Sequence, residues 1–219
     1  LLLGSEMDRL EAVLAGGARL VFLETPTNPT LDVFDIRAIA RQAHAHGALL
    51  AVDNTFASPV NQRPLELGAD LVTHSATKYL GGHSDLTAGV LMGARELLLP
   101  VWEWRKNLGS TIAPATASLL SRSLRTLVAR VRQHNASAQR VAEAMSRHPA
   151  VRRVFYPGLA DFPGHALAKQ QMYGFGGMLT IEVAGDGADA TRVADRLALF
   201  ALAPSLGGVE SLVTQPCTT

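Results

Sequence analysis

The chain has 219 residues, 47% apolar and 18% charged, with 20 basic side chains against 19 acidic ones and a net charge of +1. That is enough apolar material for a sizeable core and excludes a disordered chain. The charges are interspersed, with no basic block or aromatic-plus-basic stripe, which argues against a nucleic-acid partner, and no apolar run is long enough to span a membrane.

Leu1-Leu2-Leu3 is too short for a signal-peptide core, and the chain opens without an initiator methionine, as a fragment would. Asp8 to Leu14 reads as the tail of a helix ended by Gly16-Gly17. Arg19 to Glu24 is a short apolar run, expected as a buried strand. It gives way to Thr25-Pro26-Thr27-Asn28-Pro29-Thr30, where two prolines flanking an asparagine predict a rigid, extended turn. Phe34, Ile36, Ile39, Ala40 and Ala43 recur at helical spacing, with Asp35 as N-cap and Gly47 as terminator. Ala48 to Val52 is a near-continuous apolar strand running into Asp53-Asn54-Thr55. Pro64 to Leu67 predicts a short helix closed by Gly68, and Asp70 to His74 the next strand. Gly89 to Met92 predicts another. Strands that alternate with helices and are apolar throughout argue an α/β fold with a mostly parallel sheet covered by helices on both faces.

Ala94 to Lys106 reads as a helix whose Trp102 and Trp104 serve packing or an interface. Pro114 to His148 contains no internal Gly or Pro, and its apolar residues keep a helical period. We expect one long helix there, bent near His134-Asn135, acting as a strut between domains. Val151 to Tyr156 (strand), His165 to Met172 (helix), Gly177 to Val183 (strand) and Ala188 to Leu199 (helix) form a smaller α/β unit. The expected division is a large domain over 1–125, and a linking helix with a small domain over 126–219.

Candidate chemistry gathers at the strand ends, where open α/β sheets bind ligands. Ser75-Ala76-Thr77-Lys78 follows one strand, Asp53 another and Asn28 a third. A lysine nucleophile beside hydroxyls that can hold a phosphate points to a Schiff base with pyridoxal phosphate (PLP). That cofactor needs a lysine, for which Lys78 is the candidate. It needs a carboxylate facing the ring nitrogen, for which Asp53 is the candidate, and phosphate donors, for which Ser75 and Thr77 are candidates. Asn28 can reach the cofactor's phenolic oxygen. Taken singly, the lysine reads as a surface residue and Asp53 and Asn28 as turn residues.

Other chemistries fit worse. The glycines follow Lys78, the reverse of a P-loop, and Gly174-Phe175-Gly176-Gly177 lacks the last glycine of a dinucleotide fingerprint. Gly82-His83-Ser84 runs on to Asp85-Leu86, which is not a nucleophile elbow. His44 and His46 do not share a helix face, and His74 and His83 lack the partners of a zinc site, so no metal is expected. The lone cysteine, Cys217, excludes an internal disulfide framework, fits a reducing cytoplasmic setting and reads as an inert thiol.

Glu24-Thr25-Pro26-Thr27-Asn28-Pro29-Thr30, Val52-Asp53-Asn54-Thr55 and Ser75 to Asp85 resemble the Cys/Met-metabolism (transsulfuration) family of PLP-dependent enzymes. So do Tyr156-Pro157-Gly158-Leu159, Gly174 to Met178 and Ser205 to Leu212. The resemblance runs over nearly the whole chain. It implies fold type I, with Lys78 as the Schiff-base lysine and proton shuttle and Asp53 at the pyridinium nitrogen. It places Ser75 and Thr77 on the phosphate, Asn28 on the phenolic oxygen and Thr55 beside the ring. Ser205 would hold the substrate carboxylate and position Lys78. The implied activity is γ-replacement or γ-elimination on cystathionine or O-acylhomoserine. Methionine γ-lyase and O-acylhomoserine sulfhydrylase are the alternatives, and a non-catalytic binding or oligomerisation module is the alternative from another class. Asn107 to Thr111 and the Tyr156-to-Gly177 region look most like cystathionine γ-synthase or γ-lyase. The implied assembly is a homotetramer of dimers that share active sites. The family's N-terminal arm and the arginine that grips the substrate carboxylate have no counterpart here, so a chain ending at these limits is expected to retain cofactor weakly.

Overall fold

The computed structural model describes residues 4–216; Leu1 to Leu3 and the single cysteine, Cys217, lie outside them. The elements in chain order are a 3-10 turn (Gly4–Arg9), α1 (Leu10–Ala15), β1 (Leu20–Glu24), α2 (Ile36–Ala45), β2 (Leu49–Asp53), α3 (Ser58–Asn61), a 3-10 turn (Pro64–Leu67), β3 (Leu71–Ser75) and β4 (Gly89–Gly93). They continue with α4 (Arg95–Leu108), α5 (Pro114–Leu124), α6 (Leu127–Met145), β5 (Val151–Phe155), α7 (His165–Gln171), β6 (Thr180–Val183), α8 (Gly187–Asp195), β7 (Ala201–Leu202) and β8 (Leu212–Val213).

One sheet of order β1-β2-β3-β4 carries the larger unit. β1, β2 and β3 run parallel, so their carboxyl ends share one edge, and β4 returns antiparallel with Gly89 opposite Ser75. The amphipathic period of α2 does what its spacing predicts. Ile36, Ile39, Ala40 and Ala43 pack with Leu10 and Leu14 of α1 onto Leu23, Leu50, Val52 and Val72 of the sheet. Asp35 caps α2 by accepting from the Ala38 N–H at 2.9 Å, which satisfies one of the donors that every helix start leaves free.

Three expectations change. Among the described residues the opposite sheet face is not closed over β1, where Leu20 and Phe22 stay 51% and 62% exposed. The run Arg19 to Glu24 is therefore buried through Val21 and Leu23 alone, because alternate side chains point to opposite faces. The long helix is two. It breaks at Arg125-Thr126 rather than bending at His134-Asn135, both of which lie within α6. The cause is local competition for one carbonyl. Ser123 O, which a continuous helix would give to the Leu127 N–H, instead accepts from the Thr126 hydroxyl at 3.1 Å and from Arg130 Nη2 at 3.0 Å. The Thr25–Thr30 segment is no extended turn. It contains two cis peptide bonds, Thr25-Pro26 and Asn28-Pro29, and doubles back with Leu31 N–H donating to Thr27 O at 2.9 Å.

The remaining residues make an antiparallel β5-β6 pair and a short parallel β7-β8 pair. Tyr156, Leu159 and Phe162 pack there against Ala138 and Ala142 of α6. α4 has no buried residue, and both of its tryptophans are exposed.

Candidate active site

The carboxyl edge of the sheet collects the expected residues. Glu24 of β1 and Asp53 of β2 are register neighbours, and Asp53 is in turn paired with Thr73 of β3. Side chains in lateral register share a face, so the three stand in a row. Asp53 Oδ1 accepts from the Thr55 N–H at 2.9 Å, and Thr55 Oγ1 accepts from the Ser75 N–H at 2.8 Å. This relay welds the turn after β2 to the end of β3. Among the described residues it leaves the second oxygen of Asp53 and the hydroxyl of Ser75 uncommitted.

Lys78 follows in a tight turn, its N–H donating to Ser75 O at 3.1 Å. Its Nζ donates to Ser205 Oγ at 3.1 Å, across 127 positions of sequence. No carboxylate among the described residues pairs with this amine. Thr77 is differently placed. Its hydroxyl accepts from the Ala88 N–H at 3.1 Å and donates to Ala88 O at 3.3 Å. Asn28 is exposed on the doubled-back turn, and among the described residues only its backbone is engaged, donating to the Glu24 carboxylate. The structure thus joins Asp53, Thr55, Ser75, Lys78 and Ser205 by direct contacts or shared turns, whereas Asn28 stands at the same sheet edge without touching them.

Burial sets the electrostatics. It raises the Glu24 carboxyl above its ordinary range, aided by the negative charge of Asp53 and opposed by the Asn28 N–H. It pushes the His74 imidazole, on the core side of β3, down to about 4, against the pull of Asp53. Tyr79, next to the lysine, is fully enclosed and pushed up to about 12, its hydroxyl accepting from the Gly177 N–H at 2.9 Å. His74 and Tyr79 are therefore neutral at pH 7, and each fills space beside the site without adding charge.

Three grips hold the lysine segment that nothing in the local motif announces. Arg130 of α6 donates through Nη1 to Tyr79 O at 2.8 Å, through Nη2 to Ser123 O and through Nε to the Thr126 hydroxyl at 3.0 Å. Its guanidinium lies where a side chain on Gly82 would stand, and Gly82 has φ +69°. Gly207, at φ +76°, presses on the backbone of Lys78 and Tyr79 and so delivers Ser205 to the amine. Tyr79 meets His134 edge to face at 5.3 Å. In sequence Arg130 is one arginine among several on a helix, and only the contact distinguishes it.

The donor set fits PLP. The Thr73 hydroxyl is a buried polar atom that finds no partner among the described residues, beside Asp53. An open carboxylate oxygen, an uncommitted hydroxyl and an amine without a counter-ion complete it.

Comparison with known proteins agrees with this chemistry. The family model for the Cys/Met metabolism PLP-dependent enzymes matches residues 3–219. The chain is 46% identical over 213 residues to a cystathionine β-lyase of Lactococcus lactis subsp. cremoris, covering 97% of this chain and 56% of that protein. It is 43% identical over 216 residues to an L-methionine γ-lyase of Pseudomonas putida, covering 98% of this chain and 54% of that protein. A solved cystathionine γ-synthase from Xanthomonas oryzae pv. oryzae, in complex with aminoacrylate and cysteine, superposes with a TM-score of 0.94 at 45% identity. The match covers 99% of this chain and 55% of that one. The chain thus spans about half the length of the curated relatives it matches. By the family model and by identities of 43% and above across nearly its whole length, the chain belongs to the Cys/Met metabolism PLP-dependent enzymes.

Proposed function

We propose that this chain carries the lysine-bearing part of a PLP-dependent enzyme of sulfur amino-acid metabolism, acting by γ-replacement or γ-elimination on cystathionine or an O-acylhomoserine. The single observation that carries the reading is the Lys78 Nζ–Ser205 Oγ contact at the sheet edge shared by Asp53. Residues 1–125 would form the cofactor domain and 126–219 the linking helices and small domain. The assembly would be a homotetramer in the cytoplasm. The lone cysteine supports a reducing setting, and no helix among the described residues is long and apolar enough to cross a membrane.

In this reading Lys78 would hold the cofactor covalently, and Asp53 would accept the ring N–H with the oxygen that Thr55 leaves open. Ser75 would donate its hydroxyl to the phosphate. Thr77 would join it by turning its proton away from Ala88 O, a long bond that is cheap to exchange. Thr55 would lie near the ring and Asn28 would approach the phenolic oxygen. When bound, PLP supplies the electron sink that makes a substrate Cα–H acidic. Lys78, released by the incoming amine, would take that proton at Nζ and return it further along the substrate. Ser205, on the Gly207-braced loop, would keep Nζ aimed and help hold the substrate carboxylate.

The test is spectroscopic before it is kinetic. The purified protein should show a visible band that borohydride abolishes, leaving a pyridoxyl group on the Lys78 peptide, and Lys78→Ala should lose both band and turnover. Parallel assays of cystathionine, methionine and O-acylhomoserine, for 2-oxo acid release and for cystathionine formation, then assign the substrate. A colourless protein that PLP does not reconstitute, or undiminished turnover by Lys78→Ala, overturns the proposal.

A further inference from the structure

Behind the site lies a set of buried amides that the chemistry above does not use. Asn54, Gln62 and Gln171 are all buried, the first two flanking α3 and the third 109 positions further on. Gln62 Nε2 donates to Thr25 O at 2.8 Å and to Asn54 Oδ1 at 2.9 Å. Asn54 Nδ2 donates to Gln62 O at 2.8 Å and to Ser58 O at 3.3 Å. Gln171 Nε2 donates to Gln62 Oε1 at 3.1 Å and to Phe34 O at 3.0 Å, and its Oε1 accepts from the Ile36 N–H at 3.4 Å. Every proton of the three side-chain amides has an acceptor, so the network is fully satisfied. It is also directional. Turning over the Gln62 amide would set its oxygen against Thr25 O and Asn54 Oδ1, and its NH2 against that of Gln171.

The groups joined are those that frame the site. Asn54 lies between Asp53 and Thr55, and Thr25 opens the turn that carries Asn28. Gln171 ends α7, and the backbone of Gln62 bridges to Met172 just beyond it. We propose that Gln62 is a positioning residue. Its side-chain amide ties the turn of Asp53 and Thr55 to the turn of Asn28, and Gln171 of α7 fixes the direction in which that amide faces. The inference rests on the PLP reading above, and it adds a mechanical link from α7 to both cofactor-facing turns.

The test compares Gln62→Met and Gln171→Met with Leu67→Ala, a buried change in the sheet core outside this network. In the protein freed of cofactor, both Met variants should speed amide hydrogen exchange about tenfold over 25–36 and 54–62 together. They should weaken PLP binding by a similar factor, the size expected for buried amides left unpaired. They should also displace the pH midpoint of the visible band of the loaded protein. Leu67→Ala should lower thermal stability yet keep PLP affinity within about twofold, with the band midpoint unmoved, as for a purely structural loss. Met variants that lose stability in the manner of Leu67→Ala, with affinity and midpoint intact or only one segment loosened, overturn the proposal. If Gln62→Met does not fold, Gln171→Met decides, since it removes the bond that fixes the direction of the Gln62 amide and leaves Gln62 itself in place. A wild-type protein without the visible band overturns the PLP reading instead, and the exchange measurements still decide the link.

Discussion

Gly207→Ala offers the sharpest test of how Ser205 reaches Lys78. A Cβ at position 207 would stand 2.5 Å from Tyr79 N, 2.9 Å from Lys78 C and 3.0 Å from Tyr79 Cα. All three are backbone atoms, held by turn hydrogen bonds, so no side-chain rotation relieves the contact. The conformation adds to this, because φ is +76° and an L-residue there costs about 1–2 kcal/mol. Overpacking adds about 1–3 kcal/mol, giving about 2–5 kcal/mol in all. For a protein of this size that lowers Tm by about 4–20 °C. Any relief must lift the 205–208 loop off the lysine turn and break the 3.1 Å Lys78–Ser205 bond. Urea unfolding gives the stability, and PLP titration gives the state of the site. A variant within about 0.5 kcal/mol of wild type, with undiminished PLP affinity, would refute the close packing of this loop on the lysine turn.

Two further predictions concern buried charge. His74 is held down at about 4 by burial, whereas the unfolded chain takes up that proton near 6.5. Below pH 6.5 the unfolded state binds more protons than the native one, so stability should fall as pH drops from about 6.5 toward 4, by at most about 3 kcal/mol. His74→Leu should flatten that slope in denaturant titrations, and an unchanged slope would place the titrating group elsewhere. Arg130 is desolvated and, among the described residues, donates to carbonyls and a hydroxyl without a carboxylate partner. Arg130→Met should cost about 2–4 kcal/mol by chemical denaturation and loosen the turn after Lys78. Arg130→Lys should recover less than half of that, because an ammonium lacks the planar fork that reaches three acceptors at once.

What the sequence disclosed and what it withheld divide along a physical line. Strand ends, the Asp35 cap and the polar residues after β2 and β3 are local features, and the period and turn chemistry that encode them are written within a few residues. The relation between Lys78 and Ser205 spans 127 positions, and it was reachable only through family resemblance. The division of the long helix was not legible, because neither Gly nor Pro marks it. Thr126 and Arg130 compete for the Ser123 carbonyl, and an arginine's choice of acceptor is a tertiary event. The exposure of Leu20 and Phe22 was equally hidden, since an apolar strand reads the same whether one face is covered or both. Gln62 carries no signal at all, since a lone glutamine in a loop reads as surface until its amide is found enclosed.

The grips on the lysine segment also constrain how the molecule can move. Lys78 is bonded to Ser205, Tyr79 O to Arg130, and the Tyr79 hydroxyl to the Gly177 N–H, so one short turn is held by three elements of the part beyond residue 125. If residues 126–219 swung away from the sheet as a body, all three bonds would break. One bond between uncharged groups at about 0.5–1.5 kcal/mol and two from the lysine and arginine side chains at about 1.5–3 kcal/mol each sum to roughly 3.5–7.5 kcal/mol. Such an open state would be populated at about one per cent or less. Displacing the 205–212 loop alone would break fewer ties to the lysine stretch, namely the Lys78–Ser205 bond, the Gly207 contact and the Ser84–Glu210 hydrogen bond at 3.0 Å. The α6 side, clamped through Arg130, stays fixed to the turn that presents the amine.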